Sequence, residues 1–172
     1  MTVAVNILLF QAGWFACVLG AAHAMPWLGP LGAAAIVAWH LARAAQPGQE
    51  LALVAVAAVL GALFETLLVQ TGWVRFETGV LIEGTAPYWM VALWAIFATT
   101  LNVSLRWLRA RTGLATLFGA IGGPAAYYAG AKLGALELVR TGAALAAIAA
   151  GWAILTPVLL RAARRLDGYA RP

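Results

Sequence analysis

The chain has 172 residues, of which 64% are apolar and only 10% charged, against about 25% charged in an average soluble domain. It has room for one membrane bundle and none for a separate soluble domain, because the gaps between its apolar stretches are too short to fold alone. A net charge of +5 would suit nucleic acid, but the arginines lie beside apolar stretches, where they meet anionic lipid headgroups, so no nucleic-acid partner is expected.

Apolar stretches run about 4–24, 27–43, 50–71, 88–105, 113–131 and 139–160, each near the ~20 residues an α-helix needs to cross a bilayer. With a cytoplasmic N-terminus, one side carries Arg43, Arg106, Arg109, Arg111, Arg161, Arg164, Arg165 and Arg171, and the other only Arg75, Lys132 and Arg140. That asymmetry is the positive-inside bias of six helices with both termini inside. The expected fold is an all-α integral membrane protein, a six-transmembrane-helix bundle forming one multi-pass polytopic domain over residues 1–172.

The first stretch spaces Ala12, Ala16, Gly20 and Ala24 by four, with Gly13, Cys17 and Ala21 beside them. Residues four apart share a helix face, and small side chains let a second helix approach closely. Ala12, Ala16 and Gly20 are also a possible seam for a membrane partner. Ala22-His23-Ala24 has the form of a signal-peptidase site, but residues 1–5 carry no Lys or Arg, and retention of helix 1 is expected. Cys17 is the only cysteine, so no internal disulfide forms.

The second stretch repeats the small-residue device with Ala34, Ala38 and Ala42, and the sixth with Ala143, Ala147 and Gly151. Met25-Pro26-Trp27-Leu28-Gly29-Pro30 and Gln46-Pro47-Gly48-Gln49 read as short turns. The gap 72–87 is different: too apolar for a solvated loop and too short to span. Thr78-Gly79 between two β-prone runs suggests a small hairpin, and a re-entrant or interfacial segment fits equally well. In the fifth stretch Gly119-Ala120-Ile121-Gly122-Gly123-Pro124 predicts a kink or break, since Pro124 cannot donate to the Ala120 carbonyl. Such interruptions mark binding sites in transporters or simple packing kinks. Pro157 reads as the inner terminus of the last helix.

Glu65 is the residue that most needs a reason. It shares a helix face with Ala57 and Gly61 and lies roughly 22 Å above residue 50 at the helical rise. A charge at the bilayer centre costs about 2.5–3.5 kcal/mol even on the lenient insertion scale. The functional reading is a contact to a ligand or proton, and the alternative is a carboxyl hydrogen-bonded within the bundle. His23 and Tyr127 map near that depth and complete a candidate outward-facing pocket. Tyr88 and Trp89 suit an interfacial aromatic belt, and Lys132 suits snorkelling to headgroups.

A second polar group maps to the inner side. Thr99, Asn102 and Arg106 share a face of the fourth stretch, with Asn6, Gln11 and His40 at comparable levels. Interhelical hydrogen bonding or a lipid-headgroup site at Arg106 and Arg109 both suit it. A Ser-His-Asp triad would need Ser104, His40 and Asp167, but Ser104 lacks the Gly-x-Ser-x-Gly turn. His23, His40 and Cys17 have no metal-ligand spacing, and neither a P-loop nor a dinucleotide fingerprint is present. No metal, cofactor or catalytic residue is assigned.

Asn6-Ile7-Leu8-Leu9-Phe10-Gln11-Ala12-Gly13-Trp14-Phe15-Ala16-Cys17-Val18-Leu19-Gly20 resembles the start of a bacterial inner-membrane family known as domain of unknown function 2878. Trp89 through Asn102, with Trp94 and Phe97, and Gly119 through Tyr127, with its Gly-Pro step, are similar to it too. The resemblance covers nearly the whole chain. It implies a membrane location and, from neighbouring genes for fatty-acid-modifying methyltransferases, some link to lipid chemistry, but it transfers no catalytic residue. Two functions follow as expectations. One is binding or movement of a small molecule or lipid through Glu65, His23 and Tyr127, with an architecture similar to the vitamin-binding subunits of energy-coupling-factor transporters. The other is a membrane enzyme or accessory subunit of fatty-acid or phospholipid modification, using Asn102, Arg106 and His40.

Overall fold

Residues 2–170 are described by the structure, a computed structural model; Arg171, counted above among the inner arginines, lies outside them. Among the described residues there are six α-helices: α1 Val3–Ala22, α2 Leu28–Arg43, α3 Pro47–Gln70, α4 Tyr88–Leu101, α5 Thr112–Lys132 and α6 Thr141–Arg165. Three of them, α1, α3 and α6, are long and apolar enough to cross a membrane, and α4 is a shorter apolar helix. Large apolar side chains stand exposed around the bundle, including Leu8, Leu31, Leu63, Ile121 and Ile154, an outer surface suited to lipid rather than water.

Local chemistry sets the helix ends. The Thr2 hydroxyl accepts from the Val5 amide at the start of α1, and Pro47 opens α3 in the first-turn position where its missing N–H costs nothing. α4 stops at Leu101, four residues short of the expected end. Its chain turns there because the Thr100 carbonyl takes the Val103 and Leu105 amides, while the Asn102 side chain is committed elsewhere. A 3₁₀ turn, Arg106–Leu108, follows. Asn102 and Arg106 therefore do not share a helical face. α6 instead runs beyond its expected end, through Pro157 to Arg165, so Pro157 is no terminus.

Helix α4 is the central element, packed on α1, α2 and α3, while α5 and α6 form a tightly packed hairpin beside them. Alternate gaps gather at the same end. At one end a two-stranded antiparallel ribbon joins β1, Val74–Arg75, to β2, Glu137–Leu138, with Val74 opposite Leu138 and Arg75 opposite Glu137. The exposed Arg75–Glu137 ion pair, 2.8 Å, lies across it. At the other end the Gln46 amide bonds to the Gly168 carbonyl, and Arg106 and Arg109 reach Asp167.

The expected hairpin at Thr78-Gly79 does not form; β1 finds its partner in a distant gap. Thr78 and Gly79 make a turn lying over the end of α4. The Trp89 indole donates to the Thr78 carbonyl at 3.0 Å, and the Thr78 hydroxyl to the Ala21 carbonyl at 3.1 Å. Gly79 has φ +77, and a Cβ there would stand 2.6 Å from the Trp89 ring, so both conformation and contact call for glycine. Trp89 is thus fully buried and not part of an exposed aromatic belt.

Small residues are used differently from the expectation. On α1 the buried line is Gly13, Cys17, Gly20 and Ala21, with Gly29 of α2 against Cys17 and Gly13 against Ile36 and Ile96. Ala16 meets Gly32 of α2 and Gly20 meets the Met25–Leu28 turn, so of the proposed partner seam only Ala12 is exposed. Ala34, Ala38 and Ala42 lie on the exposed side of α2, whose packed face is Gly29, Ala33, Ile36 and His40.

Candidate functional site

Glu65 is fully buried, and Gly61 and Ala57, one and two turns away on the same face of α3, are buried too. Its Oε1 accepts from the Trp94 indole nitrogen at 2.9 Å and from the Tyr127 hydroxyl, which ties α3 to α4 and α5. Its Oε2 has no partner. Gly61 makes the arrangement possible, because the Trp94 ring occupies the place of its missing side chain.

Trp94 stacks on Trp152 of α6, ring centroids 4.5 Å apart and planes 23° from parallel. Phe97 meets Trp94 and Trp152 edge-on, the arrangement the ring quadrupoles favour. On α5, Gly119 and Gly123 lie directly against Trp152 and Thr156. The helix runs unbroken from Thr112 to Lys132 with Pro124 inside it. The glycine-proline run is therefore no break in the helix; Gly119 and Gly123 are the clearance that lets α6 approach.

These aromatic residues form one wall of a cavity of about 680 Å³ between α1 and α4 on one side and α5 and α6 on the other, a volume typical of small-molecule sites. It follows α1 from Ile7 to Val18 and α4 from Trp89 to Thr100, roughly 16 Å at the helical rise. Five of the eight tryptophans line it: Trp14, Trp89, Trp94, Trp107 and Trp152. Among the described residues, none with a charged side chain lines it.

Of the expected outer pocket, Glu65 and Tyr127 come together and His23 does not. His23 is exposed at the end of α1, with Nδ1 2.9 Å from the Leu19 carbonyl of its own helix. Trp94 and Trp152, which complete the site, were not singled out as site residues from sequence. Trp152 carried a readable signal, since a tryptophan far from both ends of an apolar helix is out of place in an interfacial belt.

The inner group is a closed network. Glu50 is fully buried; its Oε2 lies 2.7 Å from His40 Nε2, and its Oε1 accepts from Asn102 at 2.7 Å and the Gly168 amide at 2.8 Å. Asn102 also donates to the Leu166 carbonyl and accepts from Arg109. Asp167 binds Arg106 at 2.7 Å and Arg109 at 2.8 Å. Tyr169 donates to the His40 carbonyl at 2.7 Å; burial and the neighbouring Glu50 push its phenol up to about 12, with Arg43 acting the other way. Asn6 joins from α1, donating to the Thr99 carbonyl and accepting from the Ser104 amide. The triad does not assemble: His40 faces Glu50 and Tyr169, Asp167 faces two arginines, and the bond recorded for Ser104 is that of its amide to Asn6. Glu50 escaped sequence reading because it sits at the edge of its apolar stretch, where a charge needs no explanation. Among the described residues no three His, Cys, Asp or Glu side chains gather as metal ligands.

No curated protein and no solved structure matches the chain. The family model described as "Protein of unknown function (DUF2878)" matches residues 3–158, which takes in all of α1 to α5, the whole cavity lining and Glu65. The chain belongs to that family.

Proposed function

We propose that the protein is a six-span membrane protein of the bacterial inner membrane, with its N-terminus cytoplasmic, that binds or passes a small apolar molecule or lipid in the cavity between the α1–α4 and α5–α6 halves. The observation that carries this reading is the pairing of a ligand-sized, uncharged, aromatic-lined space with a buried carboxyl anchored to its wall through Trp94 and Tyr127. Intramembrane ionisable groups are costly and are commonly kept for use. The inner network gives the enzyme or accessory-subunit reading less support, since its polar groups are spent on one another and on the segment Leu166–Ala170. Arg106, with its side chain about half exposed, is the member placed to meet anionic headgroups.

The test is intrinsic fluorescence, because so many tryptophans line the cavity. Purified protein in a bilayer disc is titrated with a brominated alkane, a heavy-atom quencher. Saturable quenching that disappears in Gly122→Phe is expected. Gly122 lines the cavity, and a Cβ there meets nothing within 4 Å, so the position has room for a side chain and the ring is expected to occupy the cavity. Quenching that never saturates, or is the same in that variant, would overturn the proposal.

A further inference from the structure

The cavity is open in one half and closed in the other. Toward the Asp167 end of the bundle its lining residues Ile7, Gln11, Trp107, Phe118 and Gly122 are exposed. Toward the β1–β2 end Val18, Trp89, Tyr127, Gly130 and Leu136 line it and are buried. Gln11 and Gly122 lie roughly 12 and 15 Å from the starts of α1 and α5 at the helical rise. α1 packs on α2 and α4, and α5 on α6. The opening therefore faces sideways between α1 and α5, toward lipid on the membrane reading. A shallower apolar groove of about 340 Å³ runs along α5 past Leu114, Leu117 and Ile121, and it shares Trp107, Phe118 and Gly122 with the cavity. Two apolar spaces thus meet at one mouth.

The chemistry at that mouth is graded. The Arg111 guanidinium lies 5.8 Å from the centre of the Trp107 ring and is exposed. Arg106 and Arg109 are spent on Asp167, whereas Arg111 takes no part in the ion pairs formed among the described residues. Ser104 and Gln11 line the neighbouring stretch, a hydroxyl and an amide that can each donate and accept. Beyond them the walls are Phe10, Trp14, Trp94 and Phe97. A free cation, then neutral polar groups, then aromatic walls match an anionic head, its ester links and an acyl chain in that order.

Resting on the cavity reading above, we infer that the occupant is a two-chain anionic phospholipid that enters sideways between α1 and α5 from the leaflet on the arginine-rich side. Its phosphate meets Arg111 and its ester region Ser104 and Gln11, with one chain in the cavity and the other in the groove along α5. Tryptophan quenching tests this in bilayer discs of unlabelled phosphatidylcholine doped with one chain-brominated lipid at a time. The quenching that Gly122→Phe removes measures occupancy of the cavity. Fitted as competition with the unlabelled lipid, it should give brominated phosphatidylglycerol about fivefold higher affinity than brominated phosphatidylcholine, the ratio that about 1 kcal/mol for one arginine near the surface implies. Arg111→Gln, at an exposed position outside the ion pairs, should abolish that ratio and leave phosphatidylcholine unchanged. Brominated stearate, with a single chain, should bind more weakly than phosphatidylglycerol.

Equal affinity of the two phospholipids, or a preference that survives Arg111→Gln, would overturn the headgroup assignment. Stearate binding as tightly as phosphatidylglycerol would overturn the two-chain assignment. If Gly122→Phe blocks the brominated alkane but none of the lipids, the phospholipid is not the occupant and the cavity reading stands. If it removes no quenching by the alkane or by any lipid, the cavity reading itself falls.

Discussion

The indole of Trp94 occupies the space that a side chain on Gly61 would fill, one helical turn from the Glu65 carboxyl that the same indole binds. The glycine, tryptophan and carboxyl therefore act as one unit: without the gap at residue 61 the ring cannot reach residue 65, and without the ring the carboxyl loses one of its two donors.

Gly61→Ala should therefore destabilise the protein by about 1–3 kcal/mol, the usual cost of adding a methyl group to a filled interior. That loss runs against the helix propensity of alanine, which by itself would favour the substitution by roughly 0.5–1 kcal/mol. Equilibrium unfolding in detergent measures the sign, and a stabilised variant would show that the Trp94 ring moves aside freely.

Glu65 separates a structural role from a binding role. Glu65→Gln keeps an oxygen acceptor for Trp94 and Tyr127 and should fold with a melting temperature close to that of the unaltered chain. Glu65→Leu leaves both donors buried without a partner, at about 1–3 kcal/mol each, and should fold poorly. If Glu65→Gln also retains quencher binding and wild-type behaviour in a complementation assay, the carboxyl serves the bundle alone.

Much of this site was readable because Glu65 is an acid deep within an apolar stretch, with Ala57 and Gly61 marking its face as packed. What sequence hid is long-range. The β1–β2 ribbon joins two-residue strands separated by two helices, too short to carry any periodicity, and Thr78-Gly79 imitated a local hairpin instead. The run Gly119–Pro124 contains true helix breakers, yet α6 lies against it, and Trp152 turns its glycines into packing clearance. Glu50 and Asp167 looked like ordinary end-of-helix charges because their partners, His40, Asn102, Arg106 and Arg109, come from other parts of the chain.

Glu50 should be the most costly single residue to remove at the inner end. Glu50→Ala removes at once the carboxyl that His40, Asn102 and the Gly168 amide share, and breaking a buried pair costs about 3–5 kcal/mol. Limited proteolysis should then cut within Leu166–Ala170 before the helices are attacked. Unchanged protection of that segment would mean the network does not hold it.

Tyr169 predicts an alkaline weakness in the same place. Its folded-state value near 12 lies above the ordinary 10.0, so between those values the unfolded segment loses its proton first. The unfolded state then binds fewer protons, and stability falls as pH rises through that window. The pH dependence of melting in the unaltered chain, less that of Tyr169→Phe, should show the loss above pH 10 and none at neutral pH.

Topology is tested directly. If all six helices span, with the N-terminus inside, alkaline-phosphatase fusions should be active after Trp27 and within 73–87 and 132–138, and inactive at Arg109. Activity at Arg109 would overturn the orientation. The gathering of alternate gaps at opposite ends of the bundle is what this alternation requires.

Two adjacent glycines give the sharpest test of α5. A Cβ on Gly123 would stand 2.5–2.9 Å from Trp152, whereas one on Gly122 meets nothing within 4 Å. Both are helical and neither has a positive φ, so the backbone gains equally from alanine at either position, roughly 0.5–1 kcal/mol. Only the neighbour differs. Gly122→Ala should keep that gain and raise the melting temperature. Gly123→Ala should lose about 1–3 kcal/mol through displacement of Trp152, and with it the stacked Trp94 and the wall of the cavity. Unfolding curves for the two variants, with the shift in tryptophan emission as a second readout, decide it. Equal effects at both positions would mean that α5 does not pack on Trp152 as described.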